Sequence, residues 1–333
     1  GRIGYGSLFS YATDTTYTGN VNSVTIFKDN SIFTRNSSIY VVEGTGADNI
    51  IRFDGPEISN TTKVYSANLG TSVEIHDISF SDNSKAFITR YFDSVLVVFD
   101  IQQGKIIDSI NLSHYGLKTG ADTMRIPYMH KSICIDNKLF VLLKRLHSNQ
   151  GNPVPDTAIG GLVVVVSTDN NSVLDTISLV MKNPSAMEYF DGYLYILSAG
   201  LLSSTTDGGI EKIDISTYTN LGSICSESLF GGNISDFVLV SQTKGYIRVS
   251  LQTQEALFEF NPLTGTAGNQ LPVIENVCGD IVFDGLYVYV CDNRAVNPGI
   301  VIFDPNDNNM VGGPISFGTG LPVSVAIVKL LNK

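Results

Sequence analysis

Apolar residues fall in short runs along the whole chain, and each run ends at a corner of Asp, Asn, Ser or Gly. Two stretches show the unit plainly, AMEYFDGYLYIL at 186–197 and DIVFDGLYVYVC at 280–291. Each is an apolar strand, a Phe-Asp-Gly corner and an aromatic-rich strand. Asp-Gly between apolar runs predicts a hairpin closed by a type I′ turn, because both central residues of that turn need positive φ. Asp191-Gly192 and Asp284-Gly285 fit it, and Asp136-Asn137 is a third version. The stretches 31–42 and 78–89 predict hairpins with longer turns, and 237–249 predicts a further copy. A third strand ending in Asp or an equivalent follows each hairpin, at 49–54, 95–100, 162–167, 209–214, 256–261 and 299–304. A polar turn and a fourth strand come next, as at 106–112 and 173–179.

A four-stranded unit recurring every ~43–55 residues has the period of a propeller blade. Six units are explicit. A seventh is expected to be split, with 322–328 as its inner strand and 7–13 and 22–27 as its outer strands. Joining the two ends in one blade removes an exposed edge and holds the termini. The fold class expected is therefore all-β: a seven-bladed β-propeller of four-stranded antiparallel blades, one domain over 1–333. Stacked blades bury both faces of a strand, which explains continuous runs such as Leu162–Val166 where a half-exposed sheet would alternate. Two β-sandwiches explain the spacing less well.

The cadence of Phe-Asp-Gly with Leu-Tyr-Val at 283–288 and GIVIFDP at 299–305 resembles the YncE-like, surface-layer-type bacterial propellers. These are themselves similar to quinoprotein dehydrogenase propellers. The resemblance covers nearly the whole chain, and its motifs imply fold far more than activity. It extends to propellers used as surface lipoproteins for ligand capture, cobalamin among the ligands, although no residue here is specific to that use.

At 43% hydrophobic and 16% charged, the chain has material for a large core. A net charge of −11 removes the global positive field that nucleic-acid binding uses. No apolar run reaches the ~18 residues needed to span a bilayer, so no transmembrane segment is expected. The chain is rich in Asn, Ser, Thr and Gly and low in Lys, a composition associated with exported bacterial proteins. The expected location is the periplasm or cell surface, with a signal or lipoprotein leader upstream of Gly1. A monomer is expected.

In propellers, the connections between blades and the loops between second and third strands share one face, here called the top. Functional side chains on a rigid scaffold belong on such loops, of which 113–128, 145–160 and 198–208 are long. One inner-strand position near the top recurs as Asn30, Asp77, Ser132, Met187, Asp236 and Asp280. Asp77, Asp236 and Asp280 would then converge on one axis, where like charges repel unless a cation or water stands among them. A hard cation such as Ca²⁺ at the channel mouth is the functional expectation. Carboxylates accepting backbone N–H groups are the structural alternative. His76, His114, His130 and His147 all map to the second and third units, as candidates for ligand binding or proton transfer. Arg90, Lys144, Arg145 and Arg294, with Tyr91 and Asp292, lie at strand ends on the same face and suit an anionic or planar ligand.

The chain has no GxSxG elbow, P-loop or HExxH. SQTK at 241–244, GTGADN at 44–49 and DPNDNN at 304–309 read as turns. With Asp284-Gly285 as a two-residue turn, Cys278 falls opposite Cys291, which predicts a disulfide in an oxidising compartment. The function expected is a non-catalytic propeller binding a small molecule, glycan or protein at the top face. The alternative is a metal- or quinone-dependent oxidoreductase or lyase using the same face, with His76 and His130 as its candidate groups.

Overall fold

The computed structural model describes residues 5–10, 22–27, 30–54, 63–118, 125–149, 152–316, 322 and 324–327. These form six four-stranded antiparallel sheets, each a meander in chain order. The inner strands are Asn30–Arg35, Ile75–Phe80, Met129–Ile135, Pro184–Phe190, Asn233–Ser241 and Val277–Phe283. From the first to the sixth, these inner strands lie side by side around a channel. The sheets are called blades 1 to 6 in that order.

The turn chemistry read from the sequence closes three of the six inner hairpins, those of blades 1, 3 and 4. Asp191 and Gly192 adopt φ of 49° and 85° between Phe190 and its partner Tyr193. Asp136 does the same at 54°, and so does Asn36 at 53°, giving 31–42 a two-residue turn where a longer one was expected. Asp284-Gly285 departs from the pattern. Phe283 pairs with Val288, and Asp284 caps a four-residue loop by accepting the N–H groups of Leu286 and Tyr287.

The Asp that ends the third strand also has a physical role. Asp100 Oδ1 accepts from the backbone N–H of Gln102 and Gln103, both at 2.8 Å. Asp214 serves Ser216 and Thr217 in the same way, and Asn261 serves Leu263 and Thr264. A short polar side chain thus replaces the missing ladder partner of a tight turn.

Each blade buries both faces. Every residue of Ser38–Glu43 and of Leu162–Ser167 is buried. Alternate residues join separate inter-blade layers: Tyr40 and Val42 pack with Ile78 and Ile88 of blade 2, while Ile39 and Val41 pack with Phe53 on the other face. Each such side chain contributes about 1.5–3 kcal/mol of burial, which explains the unbroken apolar runs.

Among the described residues, six blades rather than seven form as four-stranded sheets. At the N-terminus, Tyr5–Ser10 pairs with Asn22–Phe27 as a two-stranded sheet. The described C-terminal residues, 322 and 324–327, carry no ladder and are fastened by side chains instead. Ser324 Oγ donates to Asp280 Oδ2 at 2.6 Å and accepts from Ile32 N, while Thr34 Oγ1 donates to Ile327 O. The segment therefore bridges the inner strands of blades 6 and 1. The rest of the expected stretches 7–13 and 322–328 lies outside the described residues.

Buried carboxylates tie down the top loops. Asp48 accepts from Val73 N and Glu74 N, Glu211 from Val180 N and Met181 N, and Glu227 from Asp207 N and Gly208 N. Asp292 holds Glu275 N and Asn276 N. Each gives an otherwise orphaned pair of loop amides a charged acceptor, which makes the top face rigid.

Candidate functional site

Five of the six inner strands carry a β-bulge near their top end. The slips fall between Ile75 and Asp77, Met129 and Ser132, Pro184 and Ala186, Ile234 and Asp236, and Val277 and Ile281. A bulge inserts residues without a partner and re-aims their side chains. The residues so placed include His76, His130, Lys131, Ser185, Ser235 and Cys278, and several touch around the channel mouth. His76 Nδ1 lies 2.6 Å from His130 Nδ1, and Ser185 Oγ donates to Ser235 O at 3.4 Å. The apolar pattern gave no signal for these slips, because extra residues at a strand end change register without changing composition.

The two imidazoles form a chain with a carboxylate. His76 Nε2 is 3.1 Å from Glu74 Oε1, and the His76 ring stacks on Tyr91 at 4.4 Å between centroids, with 13° between planes. Tyr91 packs edge-on against Tyr128 at 5.2 Å. The 2.6 Å contact holds one shared proton, since two lone pairs or two N–H groups would repel at that distance. Burial first, and then Lys144, His76 and Lys131, push the His130 imidazole well below its usual range, so it is neutral at neutral pH.

Asp77, Asp280 and Asp236 all lie within electrostatic reach of one cation, Lys131. Lys131 Nζ lies 3.7 Å from Asp77 Oδ1 and 5.9 Å from the centre of the Phe33 ring. Burial opposes its charge, but Asp77, Asp280 and Asp236 outweigh burial and raise its pKa. The Lys131 side chain remains 36% accessible because it faces the channel. Asp236 is pushed up to about 6 by burial and then by Asp280. Glu188, whose Oε2 accepts from Leu239 N, is pushed up to about 8, chiefly by burial. Among the described residues, no group of three His, Cys, Asp or Glu side chains is placed to hold a metal ion.

Lys131→Met is expected to destabilise the fold by about 1–2 kcal/mol at pH 7, a buried-pair effect discounted for solvent access. The raised pKa of Lys131 means its contribution is fully present below the unfolded lysine value and is lost only on passing the folded one. Adding Asp236→Asn should recover most of the loss in denaturant titrations. Equal stability of wild type and Lys131→Met would refute the electrostatic role.

The remaining candidates do not gather into one cationic pocket. Arg90 is committed to Asp93 at 2.6 Å and to Leu69 O at 3.0 Å. Arg294, in blade 6, is held by Asp292 at 2.7 Å and by donating to Val273 O at 2.6 Å. Arg145 sits at φ 52°, its Nε buried without a hydrogen-bond partner among the described residues. His147 pairs with Asp156 in a hairpin, Leu146–Asn149 with Asn152–Pro155, where the sequence suggested an irregular loop. His114 lies in a short 3₁₀ turn, edge-on to Tyr115. Of these cations, Arg90 and Arg294 each find a carboxylate within their own blade, Asp93 and Asp292.

Cys278 and Cys291 are free thiols, as are Cys134 and Cys225. The four-residue loop at 284–287 moves Val290 opposite Ile281, and the bulge over 278–280 returns Val277 to Asp292, so Cys278 stays within electrostatic reach of Cys291. The Cys278 thiol donates to Pro322 O instead. Burial raises it to about 11, and raises Cys291 further.

An open groove lies among the top loops of blades 5 and 6. Its volume is about 530 Å³, and Gln254, Gln270, Glu275, Asn276, Asn293 and Arg294 are among the residues lining it.

Repeated four-stranded blades around a channel make this protein a β-propeller. It is similar in structure to the hydrazine synthase of Kuenenia stuttgartiensis, with TM-score 0.59 and 12% identity over 81% of this chain and 74% of that one. The β-propeller domain of Cps50 (Swd1) from Myceliophteria thermophila gives TM-score 0.56 and 12% identity, over 88% of each chain. The dihydro-heme d1 dehydrogenase NirN gives 0.52 and 14%, over 88% of this chain and 70% of that one. At these identities the likeness shows the fold alone. No protein-family model matches the sequence, and no curated protein matches it.

Proposed function

We propose that the chain is a non-catalytic binding propeller that takes a protein segment, glycan or small molecule on its top face. The observation that carries this reading is the open polar groove on blades 5 and 6, fixed at one edge by the Asp292–Arg294 pair. Open concavities with convergent polar groups suit recognition, and rigid loops keep the ordering entropy of binding low. Arg90 and Arg294, the strongest cationic candidates, are held by internal partners and so shape the surface. Composition and the YncE-like cadence support an exported, periplasmic or cell-surface setting, with a lipid anchor upstream as part of the same proposal.

We also propose a seven-bladed ring. The C-terminal segment bridges blades 6 and 1. Ile39, Val41 and Phe53, on the face of blade 1 away from blade 2, are as buried as residues between complete blades, which supports a seventh element against them. The alternative of an oxidoreductase or lyase draws on the Glu74–His76–His130 chain, the best acid–base arrangement in the channel mouth.

Filling the groove tests the binding reading. Thr253→Arg and Gln270→Arg place bulk on its lining while leaving Asp292 and Arg294 in place. A ligand selected on wild type from immobilised glycan and peptide arrays should lose at least ~10-fold affinity to both variants, about 1.4 kcal/mol. Undiminished binding by variants that melt like wild type would remove the groove from the proposal.

A further inference from the structure

Lys144 has an environment unlike that of the paired cations. It follows the second strand of blade 3, Lys138–Leu143, and its backbone N–H is fixed by Tyr128 O at 3.0 Å. Its Nζ donates to a neutral partner, the Asn183 amide Oδ1, at 3.2 Å. Among the described residues no carboxylate lies in ion-pair reach of it. An ammonium enclosed without a counter-charge is strained, and losing its proton relieves the strain. Burial accordingly brings Lys144 down to about 8. The neutral His130 ring lies within electrostatic reach of it, at the end of the Glu74–His76 chain. Water reaches this mouth: the His76 side chain is 19% accessible and Lys131 36%.

We propose that Lys144 is a covalent docking point for small carbonyl compounds entering the channel mouth, held there as an imine. In this step the neutral amine's lone pair attacks the carbonyl carbon. The C=O bond breaks, a C=N bond forms, and the oxygen leaves as water with the two amine protons. No oxidant or reductant is consumed. His130 and the linked His76 accept and return the proton that moves between nitrogen and oxygen. The amine has the qualities that suit a lysine to Schiff-base chemistry, a lowered proton affinity and restricted motion. The site is separate from the groove on blades 5 and 6 and does not depend on what that groove binds.

At pH 7.4 about a fifth of an amine of pKa about 8 is neutral, against about a thousandth for an ordinary lysine. The test is reductive trapping on the full chain. Glyoxylate supplies the carbonyl, cyanoborohydride fixes the imine as a secondary amine, and peptide mass mapping gives the rate at each lysine. Lys144 should label on the order of 10-fold faster than the exposed Lys63 and Lys105, after allowing for its weaker nucleophilicity and tighter access. Asn183→Asp should bring Lys144 down to their rate, because a carboxylate at 183 pins the ammonium. Asp also tolerates the φ of 52° at that position. Lys144 labelling no faster than Lys63 and Lys105 in wild type, or labelling unchanged in Asn183→Asp, would overturn the proposal.

Discussion

Asp292→Ala is expected to lower the unfolding free energy by about 3–5 kcal/mol, the range for removing one partner of a buried ion pair. Asp292 is fully buried. Its two oxygens accept from Glu275 N at 3.1 Å and Asn276 N at 2.8 Å, and Oδ2 also takes Arg294 Nε and Nη2 at 3.0 and 2.7 Å. Alanine leaves a largely buried guanidinium and two loop amides without their acceptor, and each loss is paid in desolvation. Asp292→Asn keeps one acceptor oxygen and loses the charge, so it should fall between the two. Denaturant titrations check the order wild type, Asn, Ala. A loss under 1 kcal/mol for Ala would mean that water replaces the carboxylate, and the top loops would not be held as described. Because Glu275, Asn276 and Arg294 line the groove, the same variant should weaken any ligand selected there.

The second large effect depends on pH. Glu188 is held up to about 8 in the fold, against about 4.3 when unfolded. Between those values the folded state keeps a proton that the unfolded state has released. Stability therefore falls as pH rises through that window and levels above the folded value. The contribution is roughly 2–4 kcal/mol, below what the full shift would give because water reaches the channel. Glu188→Gln keeps an oxygen for Leu239 N and has nothing to ionise. Its advantage over wild type should be small at pH 4.5 and grow to the full amount by pH 8.5. Asp236, up at about 6, adds a smaller effect of the same sign over a lower range. Difference curves between wild type and Glu188→Gln isolate the group. Parallel curves from pH 4.5 to 8.5 would show that Glu188 ionises freely.

A ring of like-charged carboxylates is stable here because one lysine crosses to meet them. Lys131 lies over Phe33 of blade 1 and near Asp77 of blade 2, while Asp236 and Asp280 come from blades 5 and 6. The sequence position aligned with Asp77 holds Ser132, so the cation is one residue from where the alignment looked for charge. The bulge between Met129 and Ser132 is what places it. Ser132 is used as well, since its N–H and Oγ both donate to Asp77 Oδ2, at 2.7 and 3.0 Å.

Blade repetition was legible in the sequence because it rests on local rules. Apolar runs specify strands buried on both faces, and Asp-Gly or Asp-Asn corners specify tight hairpins at Asp191 and Asp136. An Asp after the third strand caps its own turn within three residues, as at Asp100 and Asp214. All of these act over a few residues of one chain segment. The site obeys no such rule. His76 meets His130 across 54 residues, and Lys131 joins Asp77 through a register slip that neither strand announces. Asp284-Gly285 opens into a four-residue loop, a choice between turn types that the dipeptide alone leaves undecided, and the bulge over 278–280 then returns Val277 to the register of Asp292. Arg90 and Arg294 find Asp93 and Asp292 beside them, so cations grouped by strand position are separated by their own blades. Sequence determined the blade, because its hydrogen bonds and burial are local. Only the tertiary arrangement of the blades decided the channel, because its charges are brought together by bulges and by neighbours distant in sequence.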